Sequence, residues 1–109
     1  ATFVARGTVY HAVELDRLIE QAISKEGFSL VEAVSYCHTG YGRLNKLGSA
    51  VDMMRSLKDN SIGVAAAQKL TPEERAGKIV RGVLHNIEKP EYTRLYAQLI
   101  ERVQPKAGA

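Results

Sequence analysis

Apolar residues recur along the chain at two spacings, one helical and one strand-like. Over residues 12–26 they fall on one helix face opposite a charged face, whereas residues 2–5 and 28–36 are apolar-rich runs typical of buried strands. The pattern predicts a strand–helix–strand unit in which Gly7 ends the first strand and Gly27 ends the helix. Parallel strands joined in this way need a right-handed crossover. The predicted core face of the helix consists of Leu15, Leu18, Ile19, Ala22 and Ile23.

A second amphipathic helix is predicted after a glycine-rich loop. It starts at Ser49 or Asn45, because both side chains can cap a helix, and it ends near residues 59–60 after about ten residues. Its predicted core face consists of Ala50, Val51, Met54 and Leu57.

The residue pattern in the last third of the chain predicts a short helix, a strand and a final helix. Residues 71–74 combine a cap, a proline at the first helical position and a glutamate three residues after the cap, and the helix stops near Gly77. Residues 78–85 have helical spacing but are rich in β-branched side chains, which favours a strand. The final helix starts at residues 90–91 and ends at Pro105. Its apolar face consists of Tyr92, Leu95, Tyr96, Leu99, Ile100 and Val103.

These elements give the order β-α-β-loop-α-(α)-β-α and a single α/β unit over residues 1–109. Three strands cannot build a sheet that is covered on both faces, although parallel strands need that cover. We therefore expect the remaining strands to lie upstream in a longer polypeptide. The absence of an initiator methionine favours the same expectation.

Charge and composition argue against two classes of function. The 15 basic residues are interleaved with 12 acidic ones, so a net charge of +3 and a pI near 9.1 indicate a solvated surface rather than a nucleic-acid interface. No apolar stretch approaches the roughly 20 residues that a membrane helix needs. A single cysteine cannot form an internal disulfide, so we expect a protein of the reducing cytoplasm.

That single cysteine, Cys37, follows the second predicted strand and opens a glycine-rich loop over residues 37–43. Ligands of open α/β sheets bind beyond the carboxyl ends of the strands, where this thiol is placed. Three interpretations are open: a small buried apolar residue, a nucleophile assisted by His38, and a ligand of a metal or cluster. The second is disfavoured because adjacent strand residues point to opposite faces.

In the third interpretation the loop supplies hydrogen bonds to the sulfur, and the candidate donors are Thr39, Gly40 and Gly42. The two glycines are equally typical of a plain turn. An iron–sulfur cluster takes about four thiolates, so the other ligands would come from elsewhere.

Other polar residues carry weaker signals. Arg6, Arg43 and Lys46 can face an anionic substrate or a diphosphate, although a solvated surface is the favoured interpretation. His11 and His85 have no partners at metal-site spacing, and we assign them no role.

Five segments of the sequence carry a more specific signal: residues 2–7, 25–32, 37–43 with Asn45 and Lys46, 71–74 and 90–93. On these segments the chain resembles the C-terminal part of the β subunit of 2-oxoacid:ferredoxin oxidoreductases, over nearly its whole length. Pyruvate-type relatives tend to carry proline after the cysteine, whereas His38 in this chain is more similar to the 2-oxoglutarate branch.

The resemblance implies a fragment of a parallel-sheet thiamine-diphosphate-binding domain. It implies an enzyme that oxidatively decarboxylates a 2-oxoacid, with 2-oxoglutarate favoured, to its acyl-CoA while reducing ferredoxin. Coenzyme A and the 2-oxoacid are then substrates, and the other oxidoreductase subunits and ferredoxin are partners.

The implied cofactors are thiamine diphosphate with Mg²⁺ and a [4Fe–4S] cluster. Cys37 matches the family's late cluster cysteine, and Thr39, Gly40 and Gly42 are implied to lie beside the cluster. The family's Cys-x-x-C and Gly-Asp-Gly motifs are absent from these 109 residues, so we expect the chain to be inactive by itself.

A different class of protein also fits the residues. In that alternative the chain is a small stand-alone α/β binding or scaffold module, Cys37 is buried, and a homo-oligomer covers the open sheet edge.

Overall fold

The computed structural model describes residues 1–104, which form one four-stranded sheet and five α-helices, together with a short 3-10 helix over Val9–His11. The sheet has the order β2-β1-β4-β3, in which β1 pairs parallel with β2 and antiparallel with β4, and β3 pairs parallel with β4. The predicted α/β class is confirmed, and the sheet is mostly parallel. The strands are β1 (Phe3–Thr8), β2 (Ser29–Val34), β3 (Ser61–Gly63) and β4 (Ile79–Asn86). The helices are α1 (Ala12–Ser24), α2 (Ala50–Asp59), α3 (Val64–Ala67), α4 (Pro72–Arg75) and α5 (Tyr92–Val103).

The core lies between α1 and one face of the sheet. Phe3 and Ala5 of β1 are buried together with Leu18 of α1. Successive strand residues face opposite sides, so Val4 and its β2 partner Leu30 lie on the other face, where Leu30 is 51% exposed. One sheet face is therefore packed against α1, whereas the other is only partly covered among residues 1–104, with Thr8 buried and Leu30 exposed. Partly buried side chains completing the core are Ala22, Val31 and Val83.

Gly7 has a different role from the predicted one, since β1 continues through it to Thr8. A Cβ at Gly7 would lie 3.2 Å from the Cβ of Leu15, so the missing side chain lets α1 approach the strand closely. The prediction that Gly7 ends the strand is therefore wrong, because the strand ends at Thr8. α1 ends at Ser24, before the predicted residue 26, and Gly27 takes a positive φ of 108° in the turn that follows.

The predicted caps of two helices are confirmed. Ser49 starts α2, and its hydroxyl accepts a hydrogen bond from the Asp52 N–H. Thr71 starts α4 in the same way, with its hydroxyl accepting from the Glu74 N–H and the Glu74 carboxylate accepting from the Thr71 N–H. These reciprocal bonds satisfy amides that the first helical turn leaves without partners.

The strand predicted over residues 78–85 is confirmed as β4, and it runs antiparallel to β1. β3 and α3 were not predicted. β3 has three residues and exists through its pairing with β4, in which Ser61 lies opposite Ile79. A strand this short has no periodicity of its own from which it could be recognised.

The final helix, α5, extends away from the rest of the chain. Its cap is Glu91, whose carboxylate accepts from the N–H groups of Thr93 and Arg94, and Arg94 pairs with Glu26 at 2.6 Å. The helix contains no buried residue, and the radius of gyration is 20.5 Å, against about 13 Å for a compact chain of 100 residues. The predicted end at Pro105 lies outside the described residues. The exposed apolar residues of α5 are Tyr92, Leu95, Tyr96, Leu99 and Val103.

Within residues 1–104, no helix combines the length and the apolar composition that crossing a bilayer demands.

The packing of α1 predicts a contrast between two substitutions on one helix. Leu18→Ala removes a side chain that is 4% exposed, and we expect it to lower the free energy of unfolding by about 2–5 kcal/mol. Val13→Ala, at a position 69% exposed, should change it by less than about 0.5 kcal/mol. Urea denaturation followed by circular dichroism measures both, and equal effects would contradict the described core.

Candidate functional site

Cys37 lies just beyond the carboxyl end of β2 and starts a tight turn, His38–Gly42, with π-helical backbone. The Gly42 N–H donates to the Cys37 carbonyl oxygen at 3.0 Å, and the Leu47 N–H donates to the Gly42 carbonyl oxygen at 2.9 Å. These two bonds close the loop. The cysteine side chain is exposed, so the interpretation of Cys37 as a buried structural residue is wrong for the described chain.

Two donors lie against the sulfur. The Thr39 hydroxyl is 3.5 Å from the Cys37 Sγ, and the Gly40 N–H donates to the same atom at 3.4 Å. The Thr39 hydroxyl foremost, followed by the backbone amides of Gly40 and Tyr41, lowers the pKa of Cys37 to about 7. Hydrogen bonds to the charged form favour it, so a large share of the thiol is thiolate at neutral pH. The thiolate is the form that binds metals and attacks electrophiles.

The predicted loop residues divide into two groups. Thr39 and Gly40 contact the sulfur, whereas the Gly42 amide is engaged by the Cys37 carbonyl oxygen. His38 is exposed, and it is not among the hydrogen-bond partners of the sulfur. The arrangement therefore gives no support to a nucleophile assisted by His38.

The predicted cations do not gather at this loop as a group. The Arg6 Nε lies 2.5 Å from a carboxylate oxygen of Glu32 on the sheet face opposite α1, so this guanidinium already has an anionic partner. Arg43 and Lys46 are exposed in the segment that follows the turn, where Lys46 takes a positive φ of 55°. Their surroundings fit the favoured interpretation of a solvated surface.

The two histidines without a predicted role lie elsewhere. His11 Nδ1 is 2.7 Å from the Thr8 hydroxyl, and partial burial, assisted by the charge of Arg81, lowers the pKa of His11. His85 is exposed on β4. Among residues 1–104, no three His, Cys, Asp or Glu side chains come together in a way that could hold a metal ion.

The sequence interpretation missed how α2 supports the loop. Met53 is 3% exposed and lies against the turn, whereas the predicted core residues Val51 and Met54 are 57% and 40% exposed. The predicted buried face of α2 is therefore wrong, apart from Leu57, which is fully buried. The spacing of four residues between Met53 and Leu57 places them on one helix face, but it does not by itself favour that face over the one with Val51 and Met54.

Two aromatic rings of this segment stack on each other. Tyr36 and Tyr41 are stacked with their ring centroids 6.5 Å apart and their planes inclined by 5°. Together with Leu47, Met53 and Ser56 they line a cavity of about 220 Å³. Residues of the loop segment and of α2 thus enclose a small, partly apolar cavity.

The fold and the loop define an α/β unit that presents one exposed thiol just beyond the carboxyl end of β2. No family model matches the chain. The chain is 44% identical over 104 residues to the 2-oxoglutarate synthase subunit KorB of Methanocaldococcus jannaschii, covering 95% of this chain and 38% of that protein. It is 39% identical over 108 residues to the subunit of the same name from Methanothermobacter thermautotrophicus, covering 99% of this chain and 37% of that protein.

A solved structure has a similar fold. It is the 2-oxoglutarate:ferredoxin oxidoreductase from Magnetococcus marinus with 2-oxoglutarate, coenzyme A and succinyl-CoA bound, which matches with a TM-score of 0.70 at 24% identity. The match covers 100% of this chain and 38% of that one. The resemblance to the β subunits of 2-oxoacid:ferredoxin oxidoreductases is confirmed, and the chain spans less than two fifths of the length of these relatives.

The hydrogen bonds to the sulfur predict the pH dependence of its reactivity. Thr39→Val removes the hydroxyl that contributes most to the low pKa of Cys37, so we expect the pKa to rise from about 7 toward the ordinary thiol value. Thr39→Ser keeps a hydroxyl and should stay close to the wild type. The rate of iodoacetamide alkylation against pH measures the pKa. Identical profiles for the valine and serine variants would show that the hydroxyl does not act on the sulfur.

Proposed function

We propose that residues 1–109 are one α/β unit, the C-terminal part of the β subunit of a 2-oxoacid:ferredoxin oxidoreductase that acts on 2-oxoglutarate. The reaction converts the 2-oxoacid and coenzyme A to an acyl-CoA and carbon dioxide, and it releases a proton and two electrons, which ferredoxin accepts. The observation that carries the proposal is the exposed Cys37 thiol, held by Thr39 and Gly40, in a chain 44% identical to a KorB subunit.

The Cys37 loop fits one ligand position of a [4Fe–4S] cluster. The sulfur is exposed, its thiolate form is favoured near neutral pH, and it already accepts hydrogen bonds of the kind that tune such clusters. A bound cluster supplies a site that takes up electrons singly. Cys37 would hold one iron, while Thr39 and Gly40 donate to its sulfur and thereby favour the more negatively charged, reduced state. The other ligands belong to polypeptide outside this chain, which has no second cysteine.

The residues present do not fit thiamine diphosphate with Mg²⁺. The 109 residues contain no Gly-Asp-Gly motif, and residues 1–104 bring together no group of side chains suited to a metal ion. We assign that cofactor to the remaining part of the subunit, so this chain does not turn over substrate by itself. The other oxidoreductase subunits and ferredoxin complete the assembly.

The surfaces of the unit support its place in a larger subunit. The sheet face opposite α1 exposes Leu30, and α5 exposes most of its apolar face, on which Ile100 is half-buried. Parallel pairs such as β1 and β2 are normally covered on both faces. The relatives are more than twice as long as this chain, and we propose that the matching polypeptide covers both surfaces. The single cysteine fits the reducing cytoplasm.

The ligand role of Cys37 predicts the effect of one substitution in the complete oxidoreductase. Cys37→Ser removes the soft thiolate, so we expect the iron content and the brown cluster absorbance to fall, and 2-oxoglutarate-dependent ferredoxin reduction to drop roughly tenfold or more. Leu44→Ala, at a position 83% exposed in the same segment, is the control and should keep its iron. Iron analysis, visible spectra and ferredoxin reduction are the measurements. A Cys37→Ser enzyme with full iron content would refute the ligand role.

A further inference from the structure

Gly42 and Met53 fit together at the base of the Cys37 loop. Gly42 is buried, and a Cβ built on it would overlap the Met53 Sδ and lie 3.1 Å from the Met53 Cε. The Met53 side chain therefore occupies the space that any other residue at position 42 would fill. The second loop glycine differs, because a Cβ at Gly40 would meet only the Cys37 Sγ, at an ordinary 3.5 Å.

Both backbone polar groups of Gly42 hold the loop closed. Its N–H donates to the Cys37 carbonyl oxygen, and its carbonyl oxygen accepts from the Leu47 N–H. Thr39 and Gly40, the two donors to the sulfur, lie inside the turn that these bonds close. A shift of Gly42 would therefore move the donors relative to the sulfur.

Met53 lies on α2, and hydrogen bonds fix the N-terminal end of this helix, which is the end that follows the loop. The Ser49 N–H donates to the Asp52 carboxylate at 2.8 Å, and the Asp52 N–H donates to the Ser49 hydroxyl at 3.2 Å. Leu57, one turn further along α2, is fully buried on the same face. The capping box and Leu57 together hold the backbone on either side of Met53.

We infer that Met53 is a positioning residue, which packs into the space beside Gly42 and so keeps the Thr39 and Gly40 donors on the Cys37 sulfur. The hydrogen-bond partners of the sulfur are Thr39 and Gly40, so Met53 acts on it through the loop. The consequence for cluster binding rests on the proposed function, whereas the consequence for the loop itself does not.

Adjacent methionines on α2 provide a matched pair of variants for the complete oxidoreductase. Met53→Ala empties the space beside Gly42, and Met54→Ala removes a side chain that is 40% exposed. We expect Met53→Ala to accelerate amide hydrogen exchange in residues 37–47, measured by mass spectrometry, and to speed iron loss to a chelator about tenfold or more. Met54→Ala should match the wild type in both measurements. Equal exchange in the two variants would overturn the inference.

Compensation between the two positions gives a second test that does not depend on one variant folding well. Gly42→Ala should open the loop, because its Cβ would overlap Met53, and adding Met53→Ala should bring the exchange of residues 37–47 back toward the wild-type rate. Gly63→Ala, where a Cβ meets nothing within 4 Å, is the control. A double variant no closer to the wild type than Gly42→Ala would contradict the inference.

The outcomes separate the two proposals. An enzyme without iron would refute the proposed function, and the exchange of residues 37–47 would still decide the role of Met53. A conservative Met53→Leu variant, which keeps the buried volume, should retain both the slow exchange and the iron. Iron loss from Met53→Leu as fast as from Met53→Ala would contradict a role based on filled space.

Discussion

The parallel pairing of β1 with β2 is the constraint on which the rest of the site depends. β1 lies inside the sheet, and its core face carries Phe3 and Ala5, onto which α1 packs. The pairing places Val34 of β2 opposite Thr8 of β1, so the chain leaves the sheet at a defined point three residues before Cys37. Among residues 1–104, β2 pairs with no strand other than β1. A shift of this register would turn the side chains of β2 to the opposite face and displace the loop.

The chemistry at the end of that strand rests on hydrogen bonds rather than on burial. Burial would disfavour the thiolate, whereas the Thr39 hydroxyl and the Gly40 amide stabilise it from within the same turn. The thiol therefore stays exposed and needs no separate base to ionise. In the proposed ligand role the same donors would act on the metal-bound sulfur, which links that role to the low pKa of Cys37.

Several features of the fold were predictable because they arise from local chemistry. The caps at Ser49 and Thr71 need only residues a few positions apart, and the β-branched content of residues 78–85 was sufficient to predict a strand despite its helical spacing. The prediction was wrong where long-range contacts decide. Glycine is typical of the end of a strand, yet Gly7 lies within β1. Its missing side chain leaves room for Leu15 of α1, which packs against it. On α2, Val51 and Met54 have a helical spacing as regular as that of Met53 and Leu57.

Residue types and their order were sufficient to predict the α/β class, the position of the single thiol after a strand and the family resemblance. Three features depend instead on the packing of the folded chain: the thiol is exposed, Gly42 closes the loop through the cysteine carbonyl, and Met53 rather than Met54 supports it. The reason is geometric. Which side of an amphipathic helix meets a loop depends on how the helix is placed against it, and that placement is set by residues distant along the chain.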